Sequence, residues 1–319
     1  MSFTGFPDGT TSIGGPVIAG AGSVSIPNFC AKVLFVDSST GAPSGDGTDP
    51  SAPLSTIAAA LARFQSAQAG GTIYVFPGTY DENLTITVDY VAIIGCVFAG
   101  YARPDVAPAA GAAITVAAQG FYTRHMRFVS EDTDSVIQNG NGFVYDDCVF
   151  DGTAGQAATE ANLRLVPHAT DDSFTASEGI IANSYFRGST SGAGIIIQHG
   201  LATGSGVGPS DVQIVNNRFT ANAVDMLSAV NSTGGGTGIF TNFTISGNQF
   251  LTASAAYVYI NFAAGAAGDL TANNALISGN WFNDDALISA QVVLTGQAKT
   301  CFVGNFDAAG VVNGAAFNN

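Results

Sequence analysis

Two adjacent carboxylates and one histidine are the residues whose types best suit proton-transfer chemistry. Asp146 and Asp147 stand side by side, and His199 follows the apolar stretch GIIIQ. A pair of carboxyl groups at a fixed separation can act as general acid and general base, and a histidine can exchange a proton near neutral pH. A histidine at a loop edge is usually only solvated or hydrogen-bonded. We therefore expect no catalytic residues and keep Asp146, Asp147 and His199 as the alternative set.

Further carboxylates come in close pairs, which raises the question of a metal site. The pairs are Asp132 and Asp134, Asp146 and Asp147, Asp171 and Asp172, and Asp284 and Asp285. Calcium takes about six to eight oxygen ligands, so an isolated pair is insufficient, and acidic residues at turns commonly serve turn geometry and solubility. The four cysteines do not have the spacing of a zinc site. We expect neither a metal nor a cofactor.

The charge balance limits the possible partners. The 319 residues include 24 acidic and 9 basic side chains, a net charge of −15, which disfavours a nucleic-acid partner because phosphates are bound mainly by lysine and arginine. The longest uncharged apolar stretch, 251–268, contains an alternating Tyr257 and Tyr259 and two glycines. This pattern predicts a strand and a loop rather than a membrane helix. The first 31 residues contain neither Lys nor Arg, so no export signal is expected.

The elements that must position these residues form a repeat. A phrase that ends in phenylalanine returns along the chain, as in FTISGNQF and ALISGNWF, and its last copy is one residue shorter. The eight copies end at Phe98, Phe128, Phe150, Phe186, Phe219, Phe250, Phe282 and Phe306. Apolar and polar residues alternate before the phenylalanine, which is the period of a strand with one buried face. The repeat therefore predicts a solenoid whose units bury their apolar faces against one another.

Asparagine stands two positions before the phenylalanine in three successive copies, at Asn217, Asn248 and Asn280. The phenylalanines that follow them are Phe219, Phe250 and Phe282. Equal positions in a coil that stacks on itself lie about 4.8 Å apart, so like side chains can form a ladder. We expect the amides to hydrogen-bond from coil to coil and the aromatic rings to stack in a neighbouring column.

The segment before the first repeat predicts a cap. A helix is expected from Ser55 to Gln68, with Ser55 as its N-cap residue. A helix at this place can cover the open first edge of the stack. We expect residues 1–31 to form an N-terminal docking arm, residues 32–71 the cap with its short helix, and residues 72–319 the parallel β-helix.

A family resemblance rests on the opening strand, the loop rich in Gly and Asp, TIAAAL, TIYVFPGTY and the repeats. With these features the chain resembles the pectin-lyase-like superfamily over about residues 32–306. The resemblance implies an all-β fold, a right-handed single-stranded parallel β-helix with an N-terminal capping helix and an extended arm. It says little about function, because the superfamily includes lyases, hydrolases, epimerases, adhesins and non-catalytic phage proteins. The chain is most similar to the non-catalytic β-helical virion proteins of tailed phages.

The resemblance favours a structural virion protein, a capsid decoration or head-spike protein made in the host cytoplasm. Galacturonase-like members use an Arg-x-Lys triplet, which this sequence lacks. The arm would dock on a phage capsid or tail protein through its apolar residues, Phe3, Phe6, Ile13, Val17, Ile18, Ile26 and Phe29. Self-association as a homotrimer is expected, since so few charges leave apolar faces to be covered. The alternative is a polysaccharide-degrading or glycan-binding tailspike, for which a glycan is the ligand.

Overall fold

The computed structural model describes most of the chain from residue 32 onwards. The described residues are 32–64, 70–97, 102–153, 155–157, 159–166, 176–188, 192–199, 207–220, 225–231, 239–251, 258–262, 271–283, 292–293, 300–307 and 310–312. The expected docking arm, residues 1–31, and Phe98 lie outside them. So do the carboxylate pairs Asp171 with Asp172 and Asp284 with Asp285.

Short strands account for almost all of the secondary structure. In chain order the strands are β1 (Val33–Val36), β2 (Gly71–Val75), β3 (Thr79–Tyr80), β4 (Leu84–Ile86), β5 (Val91–Gly95), β6 (Asp105–Val106), β7 (Ile114–Val116), β8 (Tyr122–Arg124), β9 (Arg127–Ser130), β10 (Val136–Gln138), β11 (Val144–Asp146), β12 (Val149–Gly152), β13 (Ala161–Leu165), β14 (Ile180–Ala182), β15 (Tyr185–Arg187), β16 (Ala193–His199), β17 (Val207–Ser210), β18 (Gln213–Val215), β19 (Arg218–Thr220), β20 (Asp225–Asn231), β21 (Ile239–Thr241), β22 (Thr244–Ser246), β23 (Gln249–Leu251), β24 (Val258–Asn261), β25 (Thr271–Asn273), β26 (Leu276–Ser278), β27 (Trp281–Phe282), β28 (Val292–Val293), β29 (Cys301–Val303), β30 (Asn305–Asp307) and β31 (Gly310–Val312).

The strands form three long sheets around one core, parallel throughout except for β31, which pairs antiparallel with β30. Sheet 1 has the order β1-β2-β5-β8-β11-β14-β18-β22-β26-β29, and sheet 2 has the order β3-β6-β9-β12-β15-β19-β23-β27-β30-β31. Sheet 3 runs β28-β24-β20-β16-β13-β10-β7-β4, and β17-β21-β25 form a short fourth sheet. Each turn of the chain adds one strand to sheet 1, then to sheet 2, then to sheet 3. The fold is therefore a right-handed parallel β-helix, as the sequence predicted. Strand β1 belongs to sheet 1 although it lies within residues 32–71, the range expected for the cap.

A short helix, α1 (Ile57–Leu61), precedes the first full coil and packs against β1, β2 and β4. The predicted bounds were wrong: Thr56 rather than Ser55 is the N-cap residue, with its hydroxyl accepting from the Ala59 nitrogen at 3.2 Å. The carboxylate of Glu82 accepts from the first two helical nitrogens, those of Ile57 and Ala58, at 2.9 and 2.8 Å. These partners fix the start of the helix, and Leu61 ends it. Coverage of the stack edge by α1 stays a prediction.

The repeat phenylalanines form a buried column on the inner face of sheet 2. Phe128, Phe150, Phe186, Phe219, Phe250 and Phe282 are paired in register and fully buried. From Phe150 to Phe282, successive ring centroids lie 4.5, 4.8, 4.9 and 5.0 Å apart with planes within 11° of one another. This spacing is that of neighbouring strands, so the rings continue the stacking of the backbone through the core.

The two ends of this column differ from the sequence alignment. Val106 is the residue paired with Phe128, and Phe98 lies outside the described residues. At the other end, Phe306 lies opposite Trp281 rather than Phe282, and its side chain is 40% exposed. The last repeat is one residue shorter, and a shift of one residue along a strand turns the side chain to the opposite face. Phe306 is therefore a surface residue.

Candidate functional site

The corner between sheets 1 and 2 is a regular polar feature of the described part of the molecule. One residue of this turn has a positive φ in seven successive coils: His125, Asp147, Asn183, Asn216, Gly247, Gly279 and Gly304, with φ between 50° and 66°. Asparagine, aspartate and glycine adopt this left-handed conformation at the lowest cost. The change to glycine in the last three coils explains the recurrent SGN and VGN of the repeat.

The inner side of this corner holds a ladder of asparagine amides. The Oδ1 atom of Asn280 accepts from the backbone nitrogen and Nδ2 of Asn248 at 2.9 and 3.0 Å, and Nδ2 of Asn280 donates to the Ile245 carbonyl at 2.9 Å. Asn217 bonds to Asn248 in the same way. The three side chains are at most 1% exposed. The hydrogen bonds between these amides offset the free-energy cost of burying them.

The ladder extends beyond the three predicted asparagines in both directions. Asn305 accepts from the nitrogen and Nδ2 of Asn280 at 3.0 and 2.9 Å. Upstream, Asn217 accepts from the Ser184 nitrogen at 2.9 Å, and the Ser184 hydroxyl accepts from the Cys148 nitrogen at 3.1 Å. Burial raises the pKa of the Cys148 thiol to about 12, so this thiol is not a nucleophile at neutral pH.

The acidic pair lies on the outer side of the same corner, where both carboxylates contact side chains of this chain. Asp147 accepts from Arg103 at 2.6 Å and lies 3.2 Å from Nε2 of His125. Asp146 forms an ion pair with Arg124 at 3.2 Å and accepts from Nδ2 of Asn183 at 2.8 Å. Arg103 also donates to the backbone carbonyl of Asp147. The pair is thus part of a network that joins four successive coils.

The environment of Asp147 favours its ionised form. Partial burial acts to raise the pKa of this carboxyl, but hydrogen bonds from His125 and Arg103, together with the charge of Arg103, outweigh burial and lower the pKa. A general acid needs the opposite shift, since it must carry a proton near the working pH. The geometry therefore fits a structural ion pair.

His199 does not lie at this corner. It is the last residue of β16 in sheet 3, with its backbone opposite Asn231, and the chain passes from there towards sheet 1. Asp146 ends β11 in sheet 1, and Asp147 begins the passage to sheet 2. The fold thus places the histidine and the two carboxylates at different corners of the coil. The described side chains do not include that of His199.

The outer face of sheet 2 carries a second charged network. Arg127 bridges Asp105 at 2.9 Å and Asp151 at 2.7 Å, and Arg187 reaches the same Asp151 oxygen at 2.9 Å. The guanidinium groups of Arg187 and Arg218 lie 5.3 and 5.4 Å from the Tyr185 ring centroid, within the range of a cation–π interaction. Ion pairs and aromatic stacking link successive coils on this face.

A further ion pair lies at sheet 3. Arg164 donates to Asp134 at 2.7 Å and to Gln198 at 3.2 Å, and Asp134 also accepts from the Ala161 nitrogen at 2.7 Å. The Arg164 and Asp134 side chains are only 13% and 11% exposed. Sequence spacing gave no indication of this pair, because its members are 30 residues apart and the loops that separate the strands differ in length.

The described residues contain neither a metal-binding cluster nor a membrane-spanning helix. Among them, no three His, Cys, Asp or Glu side chains are arranged to hold an ion. Within the same residues, no helix has the length and apolar character needed to cross a bilayer. The uncharged stretch 251–268 contains β24, in agreement with the predicted strand.

Comparisons with known proteins identify the fold. No family profile matches the chain, and no curated protein matches its sequence. Among solved structures, pectate lyase Pel9A matches with a TM-score of 0.54 and 12% identity, over 89% of this chain and 79% of that one. A pectin methylesterase from Aspergillus niger has a TM-score of 0.46 and 14% identity, over 91% and 94% of the two chains. A surface protein and adhesin of Streptococcus pneumoniae, PfbA, has a TM-score of 0.47 and 15% identity, over 79% of this chain and 75% of that one.

The likeness to the pectate lyase supports the parallel β-helix and nothing finer. The assignment depends on the pectate lyase, since the other two likenesses have TM-scores below 0.5. At 12% identity a shared fold does not transfer an activity, because one fold carries many functions. The likeness to phage virion proteins stays a prediction from the sequence.

Proposed function

We propose that the protein is a non-catalytic structural component of a tailed-phage particle, a capsid decoration or head-spike protein. In this role the β-helix is a rigid body, and residues 1–31 are the docking arm. The observation that carries the non-catalytic part is the engagement of Asp146 and Asp147. Both carboxylates bind side chains of their own chain, at 2.6 to 3.2 Å.

Rigidity is the second support for this proposal. The asparagine ladder satisfies buried amide groups in successive coils, and the phenylalanine column packs the same coils through the core. Contacts of this kind join each coil to its neighbours and stiffen the whole stack. A particle component that must hold its shape on a capsid or tail needs this property.

The arm is tested by deletion. A variant without residues 2–29 and full-length protein are mixed with particles that lack the protein, and co-sedimentation is measured. A second variant has the full chain length, with serine in place of each apolar residue of the arm. We expect both variants to keep the melting temperature of the full-length protein and to lose binding. Binding by either variant at the full-length level removes the arm from the mechanism.

The virion assignment has its own measurement. Mass spectrometry of purified particles gives the copy number of this protein relative to the major capsid protein. A high ratio supports shell decoration, a few copies per particle support a tail position, and absence from the particles overturns the proposal.

A glycan-binding or polysaccharide-degrading protein is the second candidate. It is favoured by half-buried Tyr185 and Arg187 together with exposed Arg218 on sheet 2, since an aromatic ring flanked by guanidinium groups can contact a sugar ring and its acidic substituents. The test is incubation with polygalacturonate and with neutral polysaccharides. Release of new reducing or unsaturated ends, lost in Asp146→Ala, Asp147→Ala or His199→Ala, would establish the enzyme. Binding without cleavage, lost in Arg218→Ala, would establish a lectin-like role.

A further inference from the structure

The outer face of sheet 2 changes its character along the solenoid. Its earlier strands carry Arg127, Tyr185 and Arg218. Its last strands carry Trp281, Phe306 and Val311, which are paired one after another across β27, β30 and β31. Their side chains are 42%, 40% and 61% exposed. We name Trp281, Phe306 and Val311 the terminal row.

We propose that the terminal row is an interface between two copies of this chain, related by a two-fold axis that passes beside Phe306. Contiguous exposed apolar residues mark interaction surfaces, because monomers rarely leave them open to water. The inference concerns association of the chain with itself, and it does not depend on the proposed role in a particle.

Charge argues for a second copy at this place. Each chain has a net charge of −15, so two copies repel each other over most of their surfaces. The described strands β26 to β31 contain a single charged residue, Asp307, which is buried and accepts from the Gly310 nitrogen at 2.9 Å. Sheet 1 adds exposed Leu276 and Val303 at the same end of the molecule. From β21 to β31 the described strands carry no charged residue besides Asp307, so the terminal row lies in the part of the stack where two copies can approach with little repulsion.

The order of side-chain sizes favours a two-fold axis. Trp281, Phe306 and Val311 decrease in size along the row, and neighbouring strands are about 4.8 Å apart. In an antiparallel pair of rows, Trp281 lies against Val311 of the partner subunit, while Phe306 meets Phe306 of the partner subunit. Such an interface is isologous, so each copy supplies both members of every contact. The homotrimer expected from composition would instead bring three equal residues to one level, with three indole rings around one axis.

The chain supplies its own optical probe for this interface. Trp281 is the only tryptophan in the sequence, so the emission of the whole protein reports the solvation of the terminal row. We expect blue-shifted emission and a dimer mass at high-micromolar concentration. On dilution to the sub-micromolar range, the emission should shift to the red as the mass falls to that of a monomer. Light scattering and analytical ultracentrifugation give the mass.

The decisive variants are Phe306→Glu and Phe306→Lys. Because Phe306 meets itself on the axis, each variant alone places like charges together, and we expect the dissociation constant to rise about a hundredfold or more. A mixture of the two places opposite charges together and should form the mixed dimer again. Ile180→Glu, at another exposed apolar position of 37% exposure, is the matched control and should dimerise like the unmodified chain.

Each other outcome overturns the proposal. A monomer at every concentration with red emission shows an open row, and a monomer with blue emission shows that the chain covers the row itself. A trimer mass excludes the two-fold axis. Unchanged dimers of Phe306→Glu place the interface elsewhere, and failure of the mixed charges to associate, with both variants folded, contradicts contact between the two Phe306 side chains.

Discussion

The Oδ1 atom of Asn248 accepts two hydrogen bonds from Asn217, one from its backbone nitrogen at 2.8 Å and one from its Nδ2 atom at 3.1 Å. Asn280 accepts the same two bonds from Asn248. The direction is the same in every rung, so each amide depends on the next coil for its acceptor. Removing one asparagine leaves two donors of the preceding coil without their partner.

Asn248→Ala should therefore destabilise the protein by about 1 to 3 kcal/mol, the cost of leaving buried polar groups unsatisfied. Gln249→Ala, at the exposed neighbouring position, is the control and should change stability by about 0.5 kcal/mol or less. Urea unfolding followed by circular dichroism measures both. Equal small losses in the two variants would argue against the ladder as a source of stability.

Phe250→Ala should cost about 3 to 5 kcal/mol, because it opens a cavity between two stacked rings in the core. Phe306→Ala should cost about 0.5 kcal/mol or less, since this side chain lies on the surface. Thermal unfolding at low protein concentration, where self-association does not contribute, separates the two. A large loss for Phe306→Ala would place it back in the buried column.

Asp147 should make acid unfolding depend on its ion pair. Its folded-state pKa is lowered from 3.8, so ionised Asp147 stabilises the fold above that pH, and this contribution is lost as pH falls through the lowered pKa. Asp147→Asn, which keeps a residue suited to positive φ, should have a lower melting temperature than the unmodified chain at neutral pH. The difference should close as the solution becomes acidic.

Glu131→Gln, at an exposed carboxylate, is the control for that series and should follow the unmodified chain at each pH. A difference between Asp147→Asn and the unmodified chain that stays constant down to strongly acidic solution would show that the charge of Asp147 does not stabilise the fold.

Cys148 and Cys301 should react very differently with iodoacetamide. Cys301 is exposed, whereas Cys148 is buried and has a pKa raised to about 12 by that burial. Because the thiolate is the reactive form, native protein at mildly alkaline pH should be labelled at Cys301 and protected at Cys148. Peptide mass mapping locates the label, and denatured protein should be labelled at both. Rapid labelling of native Cys148 would contradict its place in the core.

The fold could be predicted because its signals are local and periodic. Alternation before each phenylalanine specifies strands, and the constant offset between Asn248 and Phe250 specifies equal environments in successive coils. Phe306 was misplaced because the alignment was anchored on phenylalanine, whereas Asn305 keeps the ladder in register. The last copy of the repeat is shorter by one residue, and successive side chains of a strand point to opposite faces, so Phe306 points outwards.

The ion pair between Arg103 and Asp147 could not be predicted, since Arg103 lies in the connection between β5 and β6, outside the repeated phrase. Arg103 reaches Asp147 across 44 residues, and no spacing rule connects a loop residue with a corner two coils away. The start of α1 has a similar origin, because Glu82 accepts from Ile57 across 25 residues. Contacts of this kind depend on how the coils are stacked, which is known only once the structure is known.

The uniform direction of the asparagine ladder has a consequence for how the molecule can change in length. Ser184 occupies the rung before Asn217, and its nitrogen already donates to an asparagine Oδ1 atom. Excision of residues 217–247 would bring Asn248 to that donor with every later coil unaltered. The length of the solenoid can thus change in steps of one coil, about 4.8 Å each. After the gain or loss of one whole coil, each remaining ladder residue still has a hydrogen-bond acceptor in the next coil.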